Sequence, residues 1–425
     1  MAPSRPSPTA PGRAAWRISS GTSPAAWYRS TWRDWWHEAV ARRAAPAPAT
    51  ALLTTLRDRL AAWRDGLLAS ARFQRWAAAF PLTRPIARRR ARELFDLCAG
   101  FVYSQVLLAC VELDLFERLA GGPRAPADLA RECELPETAA SRLFDAAVAL
   151  RLLSRRSDGR YALGPLGAAL RGNPGVAAMV RHHRMLYADL ADPLALLRGE
   201  RTDTALGQYW AYATEARPAG SAAEQVADYS ELMSASQPFV AAEVLAAYSL
   251  KRHRRLLDVG GGQGTFLIAA GRRWPHLELA LFDLPAVAER ARQRLCEAGL
   301  DSRATVTGGD FLADALPRGA DVVSLVRVVH DHDDAAAARI LARAREALEP
   351  GGRLLLAEPM AGTRGAEPAG DAYFGLYLFA MRSGRPRTLR ELESLLGGAG
   401  FTGIRAVRTR VPLLTRVVVA ERAGD

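Results

Sequence analysis

Apolar residues recur three and four apart from residue 51 to 120, a spacing that predicts amphipathic helices. The stretch FPLTRPIARRR (80–90) interrupts them with two prolines and predicts a break. FVYSQVLLACVELDLFERLA (101–120) is almost wholly apolar and predicts a largely buried helix. PADLARECELP (126–136) and ETAASRLFDAAVALRLL (137–153) then read as two short helices. SRRSDGRYALGP (154–165) reads as a hairpin turning at Asp158-Gly159. Helix, turn, helix and hairpin together predict a winged helix. After further helical periodicity over 175–250 the texture changes at Lys251. Short Val/Leu runs now alternate with amphipathic helices, as in a parallel sheet covered on both faces. The fold class expected is α/β: a C-terminal Rossmann-like domain (246–425), preceded by a mainly helical winged-helix domain (85–245) and an N-terminal arm and helix (1–84).

Composition refines this picture. A chain of 425 residues exceeds what one core usually serves. The arm is rich in Pro, Ala and Ser, with one short amphipathic piece at 25–43, and seven of the nine tryptophans fall within the first 76 residues. Aromatics beside arginines suit a membrane–water interface, and equally suit packing into a partner subunit or the helical domain. The formal charge of +12 comes almost wholly from arginine, with Lys251 the single lysine. Arginine spread over an alanine-rich chain argues against a selected nucleic-acid face, and the second helix of the winged helix offers few basic side chains for a groove. A dimer interface or a substrate wall is the expected role of that domain, and a homodimer the expected state. Cys98, Cys110, Cys133 and Cys296 form no C-x-x-C pair, so reduced thiols are expected in place of a zinc site or disulfide frame. The N-terminus lacks an apolar h-region and no run reaches about 18 uninterrupted apolar residues. A cytoplasmic chain is expected, with peripheral contact on the cytoplasmic face of a membrane if the arm meets lipid.

The strongest motif is RRLLDVGGGQGTFLIAAG (254–271), in which a buried strand runs through Gly260, Gly262 and Gly264 directly into a helix. Such glycines let the backbone approach a ligand at a helix N-terminus. Asp283 closes the next strand, with Leu284 beside it, nineteen residues after Gly264, where a carboxylate accepts ribose hydroxyls. These features alone fit a dinucleotide as well. Asp258, inside the strand before the glycines, favours a ligand carrying an ammonium group over a pyrophosphate. GGDF (308–311) places Asp310 and Phe311 to bond and stack on adenine. Arg327 is counted with the cofactor set, and S-adenosylmethionine is the expected cofactor.

The strand ADVVSLVRVVH ends at His330, and RLLLAEP places Glu358 at the end of the strand expected next to it. Methyl transfer from a sulfonium requires the acceptor oxygen to lose its proton. An imidazole can take it near neutral pH, with a carboxylate on its other nitrogen fixing the tautomer. HDHDD could also read as a metal cluster, but adjacent positions at a helix start diverge and no distant ligand set accompanies them, so no metal is expected. Asp333 is read as the helix N-cap, with Asp331 favoured by the helix dipole.

DVGGGQGTF, LFDLP, GGDF, VRVVHDHDD, LLLAEPM, SGRPRT and GGAGF, in this order, resemble the small-molecule O-methyltransferases that include caffeate and acetylserotonin methyltransferases, over roughly residues 90–425. The resemblance implies His330 as general base and Glu358 as its flanking carboxylate. Two departures are visible: Pro386 stands where many members carry a second glutamate, and His332 replaces the tryptophan after His-Asp. RFQRWAAAFPLTRPIARRRARELFDLCAGFVYSQVLLACVELDLF and YLFAMRSGRPRT look closer to the carotenoid O-methyltransferases of purple phototrophs, of the demethylspheroidene (hydroxyneurosporene) type. That likeness implies methylation of the tertiary 1-hydroxyl of an acyclic carotenoid, a small hydrophobic hydroxylated substrate, with Tyr373, Phe374, Tyr377 and Met381 as its apolar wall, although those aromatics also suit a core. An aromatic polyketide or phenol is the rival acceptor. A cofactor-sensing winged-helix regulator is the rival class, and would need a basic recognition helix and no intact base.

Overall fold

The computed structural model describes residues 48–210 and 236–424; tryptophans 16, 27, 32, 35 and 36 and the amphipathic piece at 25–43 lie outside the described residues, as does part of the helical stretch expected over 175–250. The chain divides into two compact units, one up to Ala99 and one from Gly100 onward.

In the first unit, α1 (Pro48–Ala69) and α2 (Ala71–Ala79) are joined at Ser70, whose hydroxyl caps α2 through the Phe73 N–H. The expected break is shorter than its two prolines suggested. The chain turns only at residues 80–83, and Pro85 sits in the first turn of α3 (Arg84–Glu112), where its missing N–H costs nothing. The expectation of a buried helix from residue 101 holds only for its end. Phe101 is 68 % exposed, whereas Cys110 and Val111 are buried. Composition makes α3 long and apolar enough to span a bilayer, yet its last turn packs into the winged-helix core with Leu115, Phe116 and Leu119.

That core is built by α4 (Pro126–Glu132), α5 (Glu137–Ala149) and the antiparallel pair β1 (Leu153–Arg155) and β2 (Tyr161–Leu163). The hairpin turns at Gly159 with φ +84°, the left-handed value that Asp-Gly turns need. Phe144 and Tyr161 meet edge-on at 5.1 Å in its centre, and the Tyr161 hydroxyl donates to Asp145. The helix α6 (Pro174–Asp189) follows.

Seven strands form the second sheet in the order β5-β4-β3-β6-β7-β9-β8. These are β3 (Arg255–Val259), β4 (Glu278–Asp283), β5 (Ala304–Gly308), β6 (Ala320–Val326), β7 (Leu348–Glu358), β8 (Phe401–Val407) and β9 (Arg416–Arg422). Only β9 runs against its neighbours. The central strands are buried on both faces, one against α7 (Thr265–Arg273) and α8 (Pro285–Glu297), the other against α9 (Asp334–Ala347) and α10 (Leu389–Gly398). Such two-sided burial is why their sequences read as continuous apolar runs. Strand order reverses between β3 and β6, which opens a crevice at their carboxyl ends.

Candidate active site

The glycine loop leaves β3 at that crevice. Gly260, Gly262 and Gly264 take φ of +66°, +57° and +77°, and a Cβ on Gly260 would meet Val328 at 2.8 Å. Nothing approaches Gly262 within 4 Å on its Cβ side. Asp283 holds the loop from below: its two carboxylate oxygens accept from the Gly262 N–H at 2.8 Å and the Leu284 N–H at 2.7 Å. Burial raises its pKa to about 6, against the lowering effect of those two bonds.

Asp258 is buried under the loop. Ser324 on β6 donates to Oδ1 at 2.6 Å, while Oδ2 has no protein partner. Burial pushes this carboxyl up to about 7. A Cβ on Gly261 would stand 2.6 Å from Oδ2, so the loop backbone lies directly against the carboxylate. An unsatisfied buried carboxylate oxygen beside a loop stripped of side chains fits a ligand with a cationic amino-acid end.

Beyond β5, Asp310 accepts from the Leu312 N–H at 2.8 Å, and the half-buried Phe311 stands 3.7 Å from the Cβ position of Gly260. His332 packs edge-on against Phe311 at 5.4 Å, so the residue at the family's tryptophan position braces the expected adenine-stacking ring. Arg327 takes a left-handed φ of +58°, donates its N–H to Ala357 O, and reaches Ser236 through its guanidinium. Asp258, Asp283 and Phe311 thus gather around the glycine loop, while Arg327 stands near His330.

The expected base is delivered differently from its sequence reading. β6 stops at Val326, and His330 sits in the short 3-10 turn Val329–Asp331, only 4 % exposed. Asp333 caps the following helix through the Ala336 N–H at 2.7 Å, as its position predicted. Glu358 does not bond the imidazole. Its Oε2 accepts from the His330 main-chain N–H at 3.0 Å, and Oε1 has no protein partner. The cause is local: β7 ends beside the backbone of the turn, so the carboxylate meets the peptide before the ring. Asp331 approaches the ring instead, with Oδ1 3.3 Å from Nε2, and Nδ1 is left without a partner. Burial drives His330 down to about 3, helped by Arg327 and Arg387, so the ring is neutral near pH 7. Burial likewise raises Glu358 to about 8, opposed by Arg387 and by its backbone bond.

Arg387, from the SGRPRT segment, carries no role in the sequence reading and proves central. It is fully buried, donates to Val329 O at 2.8 Å and His332 O at 2.7 Å, and bonds Asp334. The turn bearing His330 is therefore clamped at both ends by one guanidinium. Gly384 packs so closely that any Cβ would overlap the His330 carbonyl oxygen. An Arg beside a Pro, following Gly384, gives no signal of this by residue type alone.

The expected apolar wall divides. Phe374 lies 5.8 Å from the His330 ring, and Tyr373 packs edge-on against Phe374 at 4.9 Å. Tyr377 and Met381 are instead buried with Leu186, Leu206 and Trp210. The Tyr377 hydroxyl meets His182 Nε2 at 2.6 Å and accepts from Trp210, and Tyr373 meets His183 at 2.7 Å. Burial lowers His182 to about 4, so its ring is neutral near pH 7.

The O-methyltransferase domain family matches residues 187–402, and the O-methyltransferase dimerisation domain family matches 95–172, which supports a homodimer. The demethylspheroidene O-methyltransferase of Cereibacter sphaeroides is 47% identical over 84% of this chain and 94% of its own length. That of Rhodobacter capsulatus is 42% identical over 80% and 85%. Among solved structures, a mitomycin 7-O-methyltransferase superposes with TM-score 0.65 at 27% identity, over 80% of this chain and all of that one. Crevice, motif order and relatives agree: the chain belongs to the O-methyltransferase family and is an S-adenosylmethionine-dependent methyltransferase.

Proposed function

We propose that the enzyme methylates the tertiary 1-hydroxyl of an acyclic carotenoid of the demethylspheroidene or hydroxyneurosporene type, with His330 as general base. The observation that carries the base is the placement of the His330 imidazole at the crevice edge, 4 % exposed and beside the half-buried Phe374 and Tyr373. The acceptor is read from the two demethylspheroidene O-methyltransferases, which align over most of both chains.

Bound S-adenosylmethionine supplies an electrophilic methyl on a sulfonium. Asp258, the glycine loop, Asp283, Asp310, Phe311 and Arg327 are the residues that would hold it. The acceptor hydroxyl, on taking that methyl, would give its proton to the imidazole nitrogen of His330 that carries none. The Asp331 carboxylate, 3.3 Å from Nε2, then faces an imidazolium. Arg387 and the Gly384 backbone keep the turn from moving while the charge appears. Phe374 and Tyr373 exclude water from the hydroxyl and offer ring faces to a hydrocarbon. Such a substrate resides in a bilayer, so this reading includes a homodimer in peripheral contact with the cytoplasmic face of a membrane, partly through the N-terminal arm.

Purified protein with labelled cofactor, given a mixture of hydroxylated acyclic carotenoids and aromatic phenols, should transfer label to the carotenoid, identified by product mass. Label appearing only on phenols would overturn the substrate reading.

A further inference from the structure

From Thr55 to Cys98, all described residues, a single side chain, Ala77, is buried. Helices of this length gain most of their stability from an apolar face packed against something. Here α1 presents such a face to solvent. Leu56, Leu60 and Trp63, spaced four and three residues apart, are 56 %, 58 % and 68 % exposed. At about 100° per residue they fall on one stripe. Arg57, Arg59 and Arg64 flank that stripe, Arg64 pairing with Asp65 at 2.7 Å, while Asp58 falls on the far side. Past α2, Trp76 and Phe80 stack at 5.2 Å and both remain exposed. α3 then opens with Arg84, Arg88, Arg89, Arg90 and Arg92. Over residues 55–98, ten arginines stand against four acidic side chains.

We infer that residues 55–92 form a peripheral docking surface for an anionic lipid bilayer. This rests on the membrane-facing reading above, and gives it a defined surface among the described residues. An apolar stripe with aromatic anchors, edged by guanidinium groups that outnumber the carboxylates paired with Arg64 and Arg89, matches the boundary between acyl chains and phosphate headgroups. A second copy of the chain fits less well. The same stripe on a partner would bring its flanking arginines with it, and like charges would then line the interface.

The test is flotation of the full-length protein with vesicles of phosphatidylcholine alone or mixed with phosphatidylglycerol. Wild type should float with the anionic vesicles, and binding should fall as salt rises. Arg57→Glu/Arg59→Glu/Arg64→Glu should weaken binding about 100-fold or more, on about 1 kcal/mol per cationic residue at the surface. Leu60→Glu/Trp63→Glu should abolish it, with circular dichroism and dimer mass by light scattering unchanged. Equal binding to both vesicle types, no flotation of wild type, or unchanged binding by both variants would each overturn the proposal. So would conversion of the Leu60→Glu/Trp63→Glu dimer to monomer, which would assign the face to a second copy. Both variants should still methylate a detergent-dispersed carotenoid at the wild-type rate. Failure of wild type to do so would count against the acceptor and leave the lipid result standing.

Discussion

The turn that carries His330 and the helices of residues 55–98 are opposite solutions to holding a chain in place. Around His330, buried groups over-determine the backbone: Arg387 donates to carbonyls on both sides, Glu358 accepts from the residue's own N–H, and Gly384 packs without room for a methyl group. Across residues 55–98, apolar and cationic side chains face outward and one alanine is buried. A site that must stabilise a transient charge needs internal rigidity, whereas a surface that meets a partner keeps its apolar area outside until that partner arrives.

The largest effect should come from the ring itself. His330→Ala should reduce carotenoid methylation about 10³-fold, the usual contribution of a positioned base. Cofactor binding by calorimetry should change little. A phenol, which ionises more readily than a tertiary alcohol, should lose less, so the ratio of the two losses reports how much each acceptor needs the base. Carotenoid turnover within a few-fold of wild type would remove His330 from the mechanism.

Glu358→Gln comes next, at about 10–100-fold in kcat. The sign of its pH dependence follows from burial. Glu358 is raised to about 8 and becomes anionic only as pH rises through that value, whereas His330, lowered to about 3, is already neutral throughout. If the carboxylate steadies the imidazolium, kcat should rise with pH toward 8 and beyond in wild type and lose that limb in the glutamine variant. A profile identical in both proteins would reduce Glu358 to a backbone anchor.

Much of this site was legible beforehand, for a physical reason. Asp258 and Asp283 sit on regular strands and the glycines follow directly from the end of one, so strand direction and strand ends fix where they lie. β-sheet order then brings them together without further information. His330 was found by type, yet its setting was not, because β6 ends four residues early and a 3-10 turn reorients the ring. Glu358 was placed at the correct strand end and paired with the wrong atom, since period-two alternation does not say whether a carboxylate reaches backbone or ring. Arg387 was invisible because its partners are carbonyls, which no sequence displays. Tyr377 and Met381 read as a cavity wall, and Leu186, Leu206 and Trp210 bury them instead. The outward face of α1 could not be assigned from periodicity, which predicts an apolar stripe without saying what covers it.

Arg387→Met should cost about 2–4 kcal/mol, because the Val329 and His332 carbonyls lose buried charged donors. Thermal unfolding would report it. A purely structural role would move stability alone. A positioning role predicts in addition that kcat falls about tenfold while KM for the acceptor stays level at a temperature where the variant is fully folded. Arg387→Lys should restore part of the stability and little of the rate, since one ammonium cannot reach both carbonyls and Asp334 in the fixed planes the guanidinium uses.

The smallest effect sharpens the comparison most. Trp63→Ser, in vesicle-free buffer, removes a large aromatic group from a helix with no buried side chain among its described residues 55–69. Lone exposed positions shift stability by within about 0.5 kcal/mol, whereas truncating the packed Phe144 to alanine should cost about 3–5 kcal/mol. The two substitutions therefore test whether the apolar surface of α1 contributes to the fold in solution. Should Trp63→Ser lower stability by an amount approaching Phe144→Ala, α1 would already be covered in the absence of lipid. The contrast between a self-sufficient site and an outward-facing helix would then dissolve.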